Sequence, residues 1–258
     1  MIATRRSIDV ASSASLVIAM AVACGGAKAV ETPAPAPATR VEVQIGLCGT
    51  PESIERALAL QPQGPPFEVW LFDNDALTLY GRGLRIRLRA AKDLSQLTLK
   101  IANQDCATPP ANAIPPGAGK CEYDVHGANV AGAVSLTRTL TAPQSKRLVA
   151  GRDSVATLLS DEQIAYLKDV VHLWPLPAKV RALGPIDERS YRAAPKRYDV
   201  GVSKLPKGET FIEISTKVPV AQLADAKQTL EHDLARAGVS ACADQSAQAI
   251  NKLRSLVR

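Results

Sequence analysis

Three arginines, Arg85, Arg87 and Arg89, alternate with apolar residues along one short segment. In an extended strand, successive side chains point to opposite faces, so the three arginines share one face. The segment from Gln96 to Ile101 repeats this plan, with Lys100 on its polar face. Two neighbouring strands with a basic face predict an anion-binding site. A solvated outer face of an ordinary sheet is the alternative.

The composition is that of a globular protein with a preference for anionic partners. Of the 258 residues, 46% are hydrophobic and 22% are charged, and the formal net charge is +6. Aromatic residues make up only 4%, too few for the stacking platforms that bind single-stranded nucleic acid, so no nucleic-acid partner is expected. The scattered histidines, His126, His172 and His232, predict surface or packing positions rather than a metal site.

The amino end has the features of a targeting segment. Arg5 and Arg6 precede a short apolar run, which is the pattern of a signal peptide. We predict a signal peptide over residues 1–23 and a Pro- and Ala-rich tether over residues 24–40. The folded domain then comprises residues 41–258.

Two processing sites compete after this signal. Residues 21–24 resemble a bacterial lipoprotein site, although Ala21 stands where leucine is usual, and cleavage there would leave Cys24 as a lipidated amino terminus. Ordinary cleavage after Ala29 is the alternative. We therefore expect export to a bacterial periplasm or cell envelope, with a membrane contact only through a lipid at Cys24.

Export makes the other four cysteines a candidate disulfide set. Cys106 and Cys121 flank a Pro-rich loop, and a bridge between them would contribute about 3 kcal/mol by restricting the unfolded chain. Cys48 and Cys242 would then tie the first strand to the carboxyl-terminal region. A metal or redox role is the weaker alternative, because the sequence contains no C-x-x-C.

The strands that must position these side chains share one plan, an apolar face and a polar face rich in Arg, Lys and Glu. In an open sheet the polar face would meet water, whereas eight or nine such strands could also close into an antiparallel barrel with a charged lumen. Helix signals begin at Thr50 and at the capping box of residues 160–163. Two further helices are predicted, one from Pro219 to Gly238 and one over residues 247–257.

Residues 41–236 resemble the CYTH superfamily, the triphosphate tunnel metalloenzymes, in the order and spacing of several segments. The similar segments are an E-x-E-x-K-like first strand (42–46), a YFDT-to-LRIR-like run (71–87), an LTLK match (97–100), an R-x-E-x-E-like strand (120–124) and an E-L-E-like strand (211–215). The resemblance implies an α+β fold, in which eight antiparallel strands form a β-barrel or tunnel and helices pack outside.

The resemblance also implies a basic lumen that holds triphosphate or another polyphosphate, and acids that hold Mg or Mn. The phosphate-binding residues carried over position by position are Arg85, Arg87, Lys100, Lys120 and Arg181. The implied metal ligands are Glu42, Glu122, Asp124 and Glu213, and the implied catalytic residues are Glu42 and Glu213. Arg89 lies on the same face as the other arginines but nearer the strand end.

The match is incomplete at the metal motif. The second glutamate of the first strand is Gln44, its lysine is Gly46, and the second late acid is Ser215. Mg usually binds one or two carboxylates plus substrate phosphates, so a depleted site could still assemble with ligand present but would bind metal weakly.

We therefore expect an exported domain that binds a polyanionic small molecule or polyphosphate, with weak or no catalysis. One alternative is a metal-dependent triphosphatase or polyphosphate hydrolase. The other is a structural envelope lipoprotein whose lumen charges pair with one another.

Overall fold

Nine strands close into a barrel in the computed structural model of the protein, which describes residues 40–91, 95–107, 119–193, 198–245 and 248–257. The strands, with two short ones outside the ring, are β1 (Arg40–Cys48), β2 (Leu60–Pro62), β3 (Phe67–Asp73), β4 (Leu84–Ala90), β5 (Ser95–Ala102), β6 (Gly119–His126), β7 (Asn129–Leu140), β8 (Arg181–Ala193), β9 (Tyr198–Lys204), β10 (Thr210–Pro219) and β11 (Ser240–Ala241). The predicted signal peptide, Cys24 and the tether up to residue 39 lie outside the described residues, and Arg40, the last residue of the predicted tether, begins β1.

The order of strands around the ring is β1-β10-β9-β8-β3-β4-β5-β7-β6, and β6 pairs with β1 to close it. Every neighbouring pair is antiparallel except β1 and β6, which are parallel. A strictly alternating ring cannot close with an odd number of strands, so one pair must be parallel. The α+β class and the closed barrel are confirmed, and the predicted eight-stranded antiparallel barrel is corrected to a nine-stranded mixed one.

The hairpin of β6 and β7 explains the parallel pair. The chain turns between these strands at Gly127, whose φ of +61° suits a residue without a side chain. Strand β7, rather than β6, then pairs with β5, and β6 is left beside β1 with the same direction. Periodicity within each strand does not encode this order of neighbours.

Five of the helices are α1 (Pro51–Ala57), α2 (Thr78–Gly81), α3 (Ala142–Val149), α4 (Asp161–Ala165) and α5 (Leu223–Arg236), and α6 (Gln248–Val257) follows near the carboxyl end. The predicted caps are confirmed, because the Thr50 side chain accepts a hydrogen bond from the Ser53 amide and Ser160 forms a capping box with Gln163. None of the helices in the described ranges has the length and apolar character needed to cross a membrane.

The main apolar cores lie outside the barrel wall. Under α3 and α4, the apolar faces of β4, β5 and β7 contribute residues such as Ile86, Leu99 and Leu136. Under α1 and α5, β1 and β10 contribute residues such as Ile45 and Ile214. Since the outward faces are apolar and covered, the alternating polar faces point into the lumen.

A smaller apolar cluster lies at one end of the lumen. Val69 and Ile186 are ladder partners, and Val69 is also opposite Arg89, so these side chains point inward. Leu256 of α6 packs against this cluster. The expectation that all helices pack outside is therefore wrong for α6, which covers lumen-facing residues at that end.

Both predicted disulfides are present. Cys106 and Cys121 are joined with their Cα atoms 5.4 Å apart, and Cys48 and Cys242 with theirs 4.9 Å apart. The second bridge fixes the chain that leads to α6 against the end of β1. Beside it, the Gln245 side chain accepts a hydrogen bond from the Gly46 amide at 2.6 Å and donates one to the Gly46 carbonyl at 3.0 Å.

Candidate functional site

The polar faces of adjacent strands meet in one row of lumen-facing residues. Arg85 is opposite Lys100 and Arg87 is opposite Thr98 in the ladder between β4 and β5. Directly opposite residues share a face of the sheet. The apolar residues between these arginines are buried under the outer helices, so the basic face predicted from the sequence is the inner face of the barrel.

The three arginines of β4 form a concentrated positive charge. The Cζ atom of Arg85 lies 5.4 Å from the centre of the Tyr80 ring, and that of Arg89 lies 5.3 Å from the centre of the Phe67 ring. The Nε atom of Arg89 is buried and has no hydrogen-bond partner. In the part of the chain that the structure describes, none of the three forms an ion pair with a carboxylate. This row can therefore accept an anion without breaking an existing pair.

The pKa of Arg87 reflects the same crowding. Burial lowers the pKa of Arg87 to about 10, and the charges of Arg89 and Arg85 act in the same direction against the opposing pull of Glu188. A bound anion would relieve this repulsion. The guanidinium remains protonated at neutral pH and can donate hydrogen bonds to phosphate oxygens.

The acids on β1 and β6 already contact lysines. Lys100 pairs with Asp124, and Lys120 lies 2.6 Å from Glu122. The Lys217 ammonium lies 3.4 Å from a Glu42 carboxylate oxygen and 3.6 Å from one of Glu122. These carboxylates are neutralised by the chain itself.

The pKa of Glu122 shows the strength of these contacts. Burial acts to raise the pKa of Glu122, but the hydrogen bond from Lys120 and the charges of Lys120 and Lys217 outweigh burial and hold the pKa below its usual value. Glu122 therefore stays ionised and remains paired.

Glu213 behaves differently from the other acids. Water reaches its side chain inside the lumen, yet the protein closely surrounds the site. This enclosure raises the pKa of Glu213 to about 7; the charges of Glu42 and Glu188 add to the rise, and that of Lys252 opposes it. Near neutral pH, Glu213 is therefore partly protonated.

The structure brings together most of the predicted site residues but not all of them. The residues that face the lumen together are Arg85, Arg87, Lys100, Glu42, Glu122, Asp124 and Glu213. Arg181 instead hydrogen-bonds to Asp75 at 2.6 Å, where the side chains are 49% and 76% exposed, and thus lies at the rim. Lys120 is also largely exposed. The binding and catalytic roles of all these residues stay predictions.

Several lumen residues have no counterpart in the sequence-based prediction. Glu188 lies in β8 beyond a register shift that interrupts the alternation, and Lys217 continues the inward face of Glu213 and Ser215. Lys252 comes from α6, and its Nζ donates a hydrogen bond to Ser203 Oγ at 2.7 Å. The alternation past Ser215 could have identified Lys217, whereas no local pattern indicates that a helix covers one end of the lumen.

His126 also faces the lumen. It lies opposite Gln44 and is half-buried, a location that the expectation of a surface or packing residue did not specify. Burial lowers the pKa of His126, while Asp124 opposes the effect and Arg85 and Lys100 add to it. A neutral imidazole is therefore favoured there. The same alternation that places Asp124 inward could have identified His126.

The predicted metal ligands do not form a ready divalent-cation site. Among the described residues, no group of three or more His, Cys, Asp or Glu side chains is arranged to hold a metal ion. Glu42, Glu122 and Asp124 contact lysine ammonium groups. Asp124 Oδ1 is buried without a hydrogen-bond partner, but the lysine contacts of Glu42, Glu122 and Asp124 already offset the negative charge that would hold a divalent ion, so the residues present do not fit a resident ion.

A groove of about 860 Å³ also runs along the outside of the barrel wall. It is lined by apolar residues such as Trp70 and Tyr191 and by charges of both signs, including Glu55 and Lys146. None of the predicted site residues lies on it. The candidate site is therefore assigned to the lumen.

Comparison with known proteins identifies the fold but not an activity. No protein-family model and no curated protein sequence matches the chain. A candidate adenylyl cyclase from Hippeastrum, described as having a dominant triphosphatase activity, has a similar structure, with a TM-score of 0.56, 14% identity and coverage of 84% of this chain and 96% of that one. A candidate adenylate cyclase from Bacillus halodurans has a TM-score of 0.50 and 13% identity over 82% of this chain and 98% of its own. The chain therefore shares the fold of these two proteins, in agreement with the barrel that the sequence resemblance predicts.

Proposed function

We propose that the barrel lumen binds a phosphate-rich or other polyanionic ligand, with weak or no hydrolysis. The observation that carries the proposal is the row of Arg85, Arg87 and Arg89, which forms no ion pair with a described carboxylate. The neighbouring acids contact lysines instead. An anion would satisfy the arginine row through charge-assisted, partly bidentate hydrogen bonds.

The spacing of the row favours an extended anion. Residues two apart on a strand are separated by about 6.6 Å, so the three arginines span about 13 Å along β4. A single phosphate can contact only one or two of them. A chain of phosphates, or another anion with several charged groups, can engage the whole row.

Calorimetric titration with tripolyphosphate, in EDTA and in Mg, tests this proposal. We expect saturable binding by the native protein and at least about tenfold weaker binding by Arg87→Gln, because one charge-assisted hydrogen bond contributes about 1.5–3 kcal/mol. Arg152→Gln removes the same charge from an exposed position and should bind like the native protein. Failure of the native protein to bind under both conditions would overturn the proposal.

The second candidate function is a metal-dependent triphosphatase or polyphosphate hydrolase. It is favoured by the fold shared with a protein described as having a dominant triphosphatase activity. Mg or Mn would then arrive with the ligand's phosphates and use Glu42, Glu122, Asp124 or Glu213. Phosphate release that stops both in EDTA and in Glu42→Ala would support hydrolysis at this site, and release that survives both would exclude it.

A structural role for paired lumen charges is the third candidate. The contacts of Lys100 with Asp124 and of Lys217 with Glu42 favour it. On that account, Arg85→Gln would destabilise the fold more than it weakens anion binding. We expect the reverse, because Arg85 contacts the Tyr80 ring but forms no ion pair with a described carboxylate.

We propose that the protein acts outside the cytoplasm, in a bacterial periplasm or envelope. The two disulfides support an oxidising compartment, and the signal-like amino end supports export. Lipidation of Cys24 would provide the membrane contact. Fractionation of cells that express the full chain tests this, because Cys24→Ala should release the protein from the membrane fraction.

A further inference from the structure

Helix α6 brings a lysine into the acidic side of the lumen. The Lys252 Nζ donates a hydrogen bond to Ser203 Oγ at 2.7 Å. Ser203 is buried on β9, directly opposite Glu188 on β8. The ammonium is therefore held on the ladder partner of an inward-facing carboxylate, and among the described residues no lysine or arginine forms an ion pair with Glu188.

A second carboxylate faces the same place. Gly201, two residues before Ser203, is the ladder partner of Glu213. A Cβ atom at Gly201 would lie 3.9 Å from Glu188 Oε1, so the Glu188 carboxylate extends over this glycine. Because Gly201 has no side chain, the wall of the lumen is open at this residue, and both carboxylates lie next to the open space.

The electrostatic effects within this group are mutual. Burial lowers the pKa of Lys252, the charges of Glu188 and Glu213 oppose the effect, and those of Arg87 and Arg89 add to it. The ammonium is therefore within electrostatic range of both the acid pair and the arginine row. Without this ammonium, the two acids would face a bound polyanion with uncompensated negative charge.

The position of Lys252 is fixed by the rest of the carboxyl-terminal segment. The Cys48–Cys242 bridge and the Gln245 hydrogen bonds to Gly46 anchor the chain before α6. Leu256 packs into the apolar cluster at the end of the lumen. The cation is thus part of the folded chain, rather than a solute that can dissociate.

We propose that Lys252 is a built-in cation that neutralises Glu188 and Glu213, so that the lumen binds its polyanion without a divalent metal. The inference rests on the proposed anion-binding function. It adds that the polyanion binds without an accompanying divalent metal ion. In this respect the chain differs from the metal-assisted chemistry that the family resemblance implies. Lys252 is a specificity-determining residue on this account, because it decides whether metal is needed.

Calorimetric titration with tripolyphosphate in EDTA, and with tripolyphosphate plus Mg, tests the inference on the full chain. The native protein should bind in EDTA, and Mg should give no gain in affinity. Lys252→Met should bind at least about tenfold more weakly in EDTA and recover affinity with Mg, because the exposed acid pair can then accept the metal. Lys252→Arg should still bind without metal.

Arg254→Gln is the matched control, since it removes one positive charge from an exposed position of the same helix. It should bind like the native protein in both solutions. Native binding that requires Mg, or binding by Lys252→Met in EDTA as tight as that of the native protein, would overturn the inference while leaving the anion-binding function intact. Absence of native binding in both solutions would overturn the proposed function itself.

A variant of the acid pair keeps the test informative if Lys252→Met does not fold. Glu188→Gln removes one of the two charges that Lys252 neutralises. It should bind tripolyphosphate in EDTA a few-fold more tightly than the native protein, because a repulsive charge is lost. Unchanged or weaker binding by Glu188→Gln would contradict the proposed role of the acid pair.

Discussion

At the scale of single residues, the arginine row and the acids differ in how their charges are balanced. Arg87 lies between Arg85 and Arg89 on β4, and burial together with their repulsion lowers its pKa to about 10. Asp124 and Glu42 contact lysines. The lumen therefore has unused capacity for negative charge at the arginines, and the acids that contact lysines have little capacity for a further positive charge. This difference supports anion binding over metal binding.

Glu213 provides a residue-scale prediction about pH. Its pKa is about 7 in the folded protein and near the ordinary 4.5 in the unfolded chain. Between these values the folded state holds more protons, so stability should fall as the pH rises from about 4.5 to about 7. Glu213→Gln should flatten this part of the profile by about 1 kcal/mol, a figure reduced to allow for water in the lumen.

Urea unfolding at a series of pH values measures this effect. Glu209→Gln, at an exposed position between β9 and β10, is the control and should retain the native slope. If the native protein and Glu213→Gln lose stability equally over this range, the enclosure of Glu213 does not control its titration.

Some lumen residues can be predicted from the sequence of one strand, whereas others can be predicted only if the packing of distant elements is known. Alternation within one strand is enough to predict that Arg85 and Arg87 share a face. Lys252 could not be predicted, because Ile250 and Leu253 give α6 the pattern of an ordinary surface helix. Its role depends on where the helix docks, which the local pattern does not contain.

At the scale of elements, the residues that follow β5 pack closely on strand β7. The Gln104 amide donates a hydrogen bond to the Gly132 carbonyl at 3.0 Å. A Cβ atom at Gly132 would overlap the Gln104 backbone oxygen and crowd the Cys106 sulfur. The close approach of the bridged loop to β7 therefore requires glycine at this position.

Gly132→Ala is accordingly expected to destabilise the protein by roughly 2 kcal/mol or more, because the backbone must move to admit the methyl group. Gly81→Ala is the control, since nothing lies within 4 Å of a Cβ atom at that position. Urea unfolding of both variants measures the difference. Equal stability of the two would mean that the loop does not pack closely on β7.

The elements also show what periodicity can and cannot predict. Strands β1, β4, β5 and β10 alternate cleanly, and their inward faces follow from the sequence. The strand count, the parallel pair of β1 and β6, and the continuation of β8 past its register shift do not. Those features depend on which strands become neighbours. The alternation within one strand does not indicate which other strand lies beside it.

At the scale of the whole molecule, the apolar cores that stabilise the fold lie outside the barrel wall, and the charged candidate site lies inside it. The main apolar cores hold the outer helices against the barrel wall, which leaves the lumen for charged residues. The disulfide at Cys48 holds the carboxyl-terminal segment in place, so that α6 covers one end of the lumen. The barrel can therefore place charges inside without relying on them for its core.

The sequence resemblance predicted the class of fold at this scale, and the structure confirms it with a different strand count. The resemblance assigned Lys100 and Lys120 to phosphate, whereas the structure pairs them with Asp124 and Glu122. Lys217, which contacts Glu42, lies outside the segments that carry the predicted site. For the whole molecule we therefore expect a tunnel that binds an anion through Arg85, Arg87 and Arg89. Lysines of the same chain offset the charges of its acids.

A crystal structure of the full chain soaked with tripolyphosphate in EDTA tests this central expectation most directly. The account predicts phosphate density inside the barrel within hydrogen-bond distance of Arg85 and Arg87. Lys252 should remain on Ser203, and the lysine contacts of Asp124, Glu122 and Glu42 should persist. Density confined to the outer surface, or an empty lumen at saturating tripolyphosphate, would contradict it.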